Sequence, residues 1–167
     1  MKKRERVSPC KKVFSNFNTA KTIGILFPYD TVVGEAVGQL TGFFASRGIE
    51  VKTLCYCDSK AMPLNFPASL LPIFCNWEVS WVGRPLSEAA LAFMHTPFDI
   101  CIDFMLNDIH VMQYIAALSE AKMKVGRWAY AGNPYDFVLS LPGGNTDAYS
   151  FVEQLNHYMV TIDMKND

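Results

Sequence analysis

Short continuous apolar runs alternate along this chain with segments of helical period, and that alternation limits the fold more than any other feature. Lys21–Tyr29 (KTIGILFPY) is a short apolar run suited to a buried strand. Val33, Val37, Leu40 and Phe44 follow at helical spacing, with Asp30 or Thr31 placed to cap the helix start and Gly48 to end it. Ile49–Cys57 (IEVKTLCYC) is a second strand and Phe98–Phe104 (FDICIDF) a third. Asn107 or Asp108 then caps a helix over Ile109–Ala121 with Val111, Met112, Ile115 and Leu118 inward. KVGRWAY and DFVLSL are two further strands, and Phe151, Val152, Leu155, Met159 and Ile162 form the stripe of a closing helix.

Strands that alternate with helices imply a three-layer α/β domain. The expected sheet is doubly wound, mostly parallel, of about five strands, and Rossmann-like. Only about six residues part KVGRWAY from DFVLSL, fewer than a helical crossover takes, so one edge strand is expected to run antiparallel. The expected boundaries are a basic, flexible arm over residues 1–20 and one α/β domain over 21–167. Within the connection Asp58–Pro85 either LPIFCN or WEVSWVG is expected to add a short strand. Phe74, Trp77 and Trp81 in that connection are candidates for a lid or contact surface beside the strand ends. Pro85 and Ser87 open a helix that runs through Met94 to His95.

Charge and cysteine content exclude several classes of function. The formal net charge is −1, so no global field recruits nucleic acid or an anionic membrane. Lys2, Lys3, Arg4, Arg6, Lys11 and Lys12 do crowd the N-terminus, which keeps RNA or ribosome association as an alternative. No segment reaches the ~18 consecutive apolar residues of a membrane span. Five cysteines, an odd number largely in apolar surroundings, read as reduced thiols of a cytoplasmic protein.

Motif chemistry is sparse. The turn after the first strand, FPYDTVVGEA, is neither G-x-G-x-x-G nor a P-loop. Leu141–Asp147 (LPGGNTD) is the remaining anion cradle, with Gly143, Gly144 and Asn145 before a helix N-terminus. His95, His110 and His157 lack metal-binding spacing, and Cys55 and Cys57 are expected on opposite sides of their strand; no metal or cofactor is implied. Asp99 and Asp103 are separated by ~13 Å of strand, too far for a catalytic carboxylate pair. No catalytic residue is assigned. Asp30, Asp103 and Asn107 stand at strand C-terminal ends, where open α/β sheets bind ligands. Gly34, Gly38 and Gly42 line one flank of the first helix, which suits close approach of another helix, in this chain or in a homodimer.

KTIGILF, WVGRP, PFDICIDF and YIAALSEAKMKVGR together resemble an uncharacterised bacterial family known only as a domain of unknown function. The resemblance runs from Lys21 onward and implies an α/β domain without an assigned activity. FDICIDF and ALSEAKMKVGR are also similar to a segment of the acceptor half of heptosyltransferase-type glycosyltransferases. The expected function is non-catalytic binding of a small ligand or protein partner at the C-terminal edge of the sheet. The alternative is a glycosyltransferase-related enzyme with Asp30, Asp103 and Gly143–Gly144 around the substrate. An open polar cleft would favour the enzyme, and a cleft plugged by Trp77 and Trp81 the binding module.

Overall fold

The structure is a computed structural model of the chain that describes residues 11–60 and 63–161. Six strands form one sheet: β1 (Thr22–Pro28), β2 (Glu50–Cys57), β3 (Ile73–Cys75), β4 (Ile100–Asp103), β5 (Lys124–Gly126) and β6 (Phe137–Val138). Their order is β3-β2-β1-β4-β5-β6 and every neighbouring pair is parallel. That order is the one on which dinucleotide-binding doubly wound sheets are built. Among the described residues four α-helices cover the faces: α1 (Thr31–Ser46), α2 (Glu88–Met94), α3 (His110–Leu118) and α4 (Ala148–Thr161). Among the described residues no helix is long and apolar enough to cross a membrane.

Each strand residue chooses a layer by the period-two alternation of its side chains. Ile23, Ile25, Phe27, Ile100, Ile102 and Val125 pack beneath α1 and α4. Leu26, Leu54, Tyr56, Phe74 and Cys101 pack beneath α2 and α3. Helix α1 begins and ends where its sequence signals stand. Asp30 Oδ1 accepts from the amides of Val32 and Val33 at 2.9 and 3.0 Å. Gly48, at φ +72°, closes the C-terminus while its amide and that of Ile49 donate back to Ala45 and Phe44.

The short strand expected in the connection is β3, from LPIFCN, and it brings the count to six rather than about five. Several other expectations are corrected. The edge strand β6 is parallel, not antiparallel. KVGRWAY leaves the sheet after Gly126 and DFVLSL joins it only at Phe137, so the connection is longer than the apolar runs suggested. Trp128, Tyr130 and Tyr135 in that connection pack against the α2/α3 layer and take the place of a crossover helix. Neither Asn107 nor Asp108 caps α3: Ile109 holds the cap position, and Asp108 Oδ1 accepts from Gln113 Nε2 instead. Leu118 is half-buried and Ala116 takes the inward position.

The N-terminal boundary also shifts. Residues 1–10, with most of the basic cluster, lie outside the described residues, as does Ile162. Phe17 and Ala20, expected in the arm, are core residues. Phe17 stands edge-on to Phe44 at 4.8 Å, and its amide donates to Met159 O at 3.0 Å. Cys55 and Cys57 point to the same face, since two residues of strand make a full period, and Cys75 joins them there. Among the described residues no three His, Cys, Asp or Glu side chains are grouped to hold a metal ion. Gly38 and Gly42 face open space: a Cβ on either would meet no atom within 4 Å. No α-helix of the described residues meets Gly38 or Gly42 on that flank, while a Cβ on Gly34 would meet Leu70 of the short 3-10 turn Ala68–Leu70 at 3.8 Å.

Candidate functional site

Topology places the site before any side chain is considered. The chain leaves β1 for α1 on one face and leaves β4 for α3 on the other, although β1 and β4 are neighbours. Connections that part in this way open a crevice at the strand C-terminal ends. A cavity of about 610 Å³ occupies it. Tyr29 and Asp30 follow β1, Tyr56 and Asp58 stand at the end of β2, and Asn76 follows β3. Asn107, Asp108 and His110 come from the β4–α3 turn and the first residue of α3, and Arg127 follows β5.

The polar groups of this cavity differ in how far their bonding is satisfied. Asp30 spends Oδ1 on the first-turn amides of α1. The Tyr56 hydroxyl donates to Asn76 Oδ1 at 3.4 Å. Burial, reinforced by the neighbouring Asp58 carboxylate, pushes its pKa up to about 12, so it stays a neutral donor. Asn107, Asp108 and His110 are exposed on the wall. Arg127 is 5% exposed. Its Nη1 donates to Phe104 O at 3.4 Å and its Nη2 to Thr146 O, while Nε has no partner. Its guanidinium stands over the Phe151 ring, 5.6 Å from the centroid. Burial lowers its pKa, and the Asp147 and Asp30 carboxylates oppose that shift.

The ligand-binding candidates singled out from sequence separate into three groups. Asp30 and Asn107 line the cavity. Asp103 lies behind it, 1% exposed, with Oδ1 accepting from Met105 N at 2.9 Å and Oδ2 from the Tyr135 hydroxyl at 2.6 Å. Burial pushes its pKa up to about 6 against the pull of those two bonds. Gly143, Gly144 and Asn145 form an exposed turn away from the cavity wall, and Asn145 Oδ1 accepts from Asp147 N. Phe74 is fully buried in β3 and is no lid residue. Trp77 and Trp81 are 54% and 97% exposed and line no part of the cavity.

Sequence reasoning missed Arg127, Tyr56, Asp58 and Asn76 and took His110 for a helix-surface residue. The signal for Arg127 is a cation directly after an apolar strand, where a parallel sheet places its ligand edge. The others follow from the same rule once strands β2 and β3 are known. The RNA alternative depends on Lys2, Lys3, Arg4 and Arg6, which lie outside the described residues, and on Lys11 and Lys12, of which Lys12 donates to Asp136 Oδ2 at 3.0 Å.

The chain belongs to DUF6913, a family of unknown function, whose profile matches residues 1–162. A search of curated proteins finds no match.

Proposed function

We propose that this protein is a cytoplasmic binding module that holds a small polar molecule in the crevice between β1 and β4. The observation that carries this is the cavity itself: about 610 Å³, at the switch point, with donors and acceptors converging from the ends of several strands. Trp77 and Trp81 stand clear of it. An open cleft was the feature expected of an enzyme, but the groups expected around a transferase substrate do not come together on its wall. Of Asp30, Asp103 and the Gly143–Gly144 turn, Asp30 alone lines the wall. No Ser, Thr, Cys or Lys of the described residues lines it either, so no aliphatic hydroxyl, thiol or amine nucleophile stands on the cavity wall. Four buried free thiols, Cys55, Cys57, Cys75 and Cys101, support placement in a reducing compartment.

The test is a thermal-shift screen of sugars, sugar phosphates, nucleotides and flavins on the wild type and on Asn107→Trp, which fills the mouth of the cavity from an exposed position. Compounds that raise the wild-type melting temperature should lose most of that effect in Asn107→Trp. Equal shifts in both proteins would place the ligand elsewhere, and a screen without any shift would end the small-ligand proposal.

A further inference from the structure

Arg127 is not explained by the fold that surrounds it. Its two bonds, to Phe104 O and Thr146 O, tie the end of β4 to the turn before α4. A neutral side-chain amide can donate two such bonds; neither needs a positive charge. Nε keeps no partner, and no carboxylate of the described residues forms a salt bridge with this guanidinium. A buried charge is costly unless an opposite charge or a full set of hydrogen bonds meets it. Here the cation is buried, incompletely bonded, and part of the wall of the switch-point cavity.

The rest of the wall says how much negative charge the cavity accepts. In sheets of this order a pyrophosphate ordinarily rests on the first-turn amides of α1. Asp30 already occupies the amides of Val32 and Val33. Asp58 and Asp108 add two more carboxylates to the lining, so three acids share the wall with one guanidinium and the His110 imidazole. A polyanion would be repelled by those carboxylates, whereas hydroxyl or ammonium groups would find acceptors among them.

We propose that Arg127 seats a single oxyanion, a phosphate or a carboxylate, of a ligand whose hydroxyl or ammonium groups face Asp30, Asp58 and Asp108. This inference rests on the small-ligand proposal above and adds the chemical class. Nucleoside di- and triphosphates are excluded as occupants, although the strand order is that of nucleotide-binding sheets.

Calorimetric titration of the full chain tests it with ribose 5-phosphate, ribose, 3-hydroxybutyrate, inorganic phosphate and pyrophosphate. Ribose 5-phosphate or 3-hydroxybutyrate should bind saturably, the phosphate or carboxylate source being read from which of the two is tighter. Ribose should be weaker than ribose 5-phosphate, and pyrophosphate should not bind. Arg127→Gln should weaken the anionic ligand about ten- to a hundredfold, the loss of a charge-assisted contact, and leave ribose unchanged. Because Arg127 also ties two segments together, Asn107→Asp serves as a second variant. It adds a carboxylate at an exposed wall position and should weaken the anionic ligand selectively. Pyrophosphate binding tightest, or ribose 5-phosphate binding Arg127→Gln and Asn107→Asp as well as wild type, would overturn the inference. Ribose binding without any gain from the phosphate would overturn it too while leaving the small-ligand proposal standing. Silence from all five probes would defeat this inference alone, since the broader screen decides the other.

Discussion

Replacing Asp103 by asparagine should remove a defined segment of the pH dependence of stability. Asp103 ends β4 opposite Gly126 of β5, and the ring of Tyr135 lies on that glycine so that its hydroxyl reaches the carboxylate at 2.6 Å. Burial raises the folded pKa to about 6, from an ordinary value of 3.8. Between these two values the native state holds a proton that the unfolded chain has released. Stability from this group is therefore fully present below pH ~4 and is lost as pH rises through about 6. Two pH units at 1.36 kcal/mol each make about 3 kcal/mol. The amide of the Asp103→Asn variant carries no such term, because it stays neutral throughout, and the other carboxylates titrate alike in both proteins and cancel. Urea unfolding of wild type and Asp103→Asn at pH 4, 5, 6 and 7 measures the difference directly. Because pH 4 lies beside the unfolded pKa, where part of the effect is already lost, the stability of wild type relative to the variant should be about 2 kcal/mol greater at pH 4 than at pH 7. A difference independent of pH, or one that grows with pH, would show that Asp103 is ionised in the fold at pH 4 and refute the account of its burial.

Two glycines give opposite outcomes under the same substitution. Gly126→Ala places a Cβ inside the ring of Tyr135, which must move and give up its bond to Asp103. The expected loss is about 1–3 kcal/mol in urea unfolding, and it should be clearly less in a Tyr135→Phe background, where that bond is already gone. Gly38→Ala meets open space on α1 and should stabilise the protein by about 0.5–1 kcal/mol through helix propensity alone. A loss of stability in Gly38→Ala, together with a drop in sedimentation mass from dimer to monomer, would instead place a second copy on that flank.

Helix α1 was legible from end to end because its signals are local. Asp30 offers an acceptor to amides two and three residues ahead, and Gly48 supplies the left-handed residue that a C-terminal closure needs. Helix α3 was less so: Asn107 and Asp108 are capping residues by type, but Ile109 is extended at the cap position and Asp108 turns to Gln113. Which acceptor wins is settled by the path of the β4–α3 turn, which local propensity does not describe. The direction of β6 was hidden for a related reason. An apolar run such as KVGRWAY looks like one strand, yet Gly126 ends the pairing because Tyr135 needs its empty face. The N-terminal boundary failed at Phe17, one aromatic in a polar stretch whose partners Phe44 and Met159 are remote in sequence. Arg127 was invisible while KVGRWAY was read as unbroken strand.

The end of β5 links the core to the crevice. With Gly126 as the last paired residue, Tyr135 folds back over it on the α2/α3 face and meets the bonding demand of Asp103. The next residue, Arg127, falls on the opposite face, beside Phe151 of α4, at the height where strand ends meet the cavity. Asp103 and Arg127 are thus two buried ionisable groups at neighbouring strand ends, with different fates. The carboxylate has two good hydrogen bonds and a pKa raised toward neutrality, so the fold alone satisfies it. The guanidinium cannot shed its proton near neutral pH and keeps an unbonded Nε. Strand order alone would have favoured a nucleotide, but that order guarantees only a crevice; what enters it is decided by the groups on its wall. Asp30 takes the first-turn amides of α1 that would otherwise seat a phosphate, so the single-oxyanion proposal puts recognition of charge at Arg127, after β5, rather than at the first turn of α1.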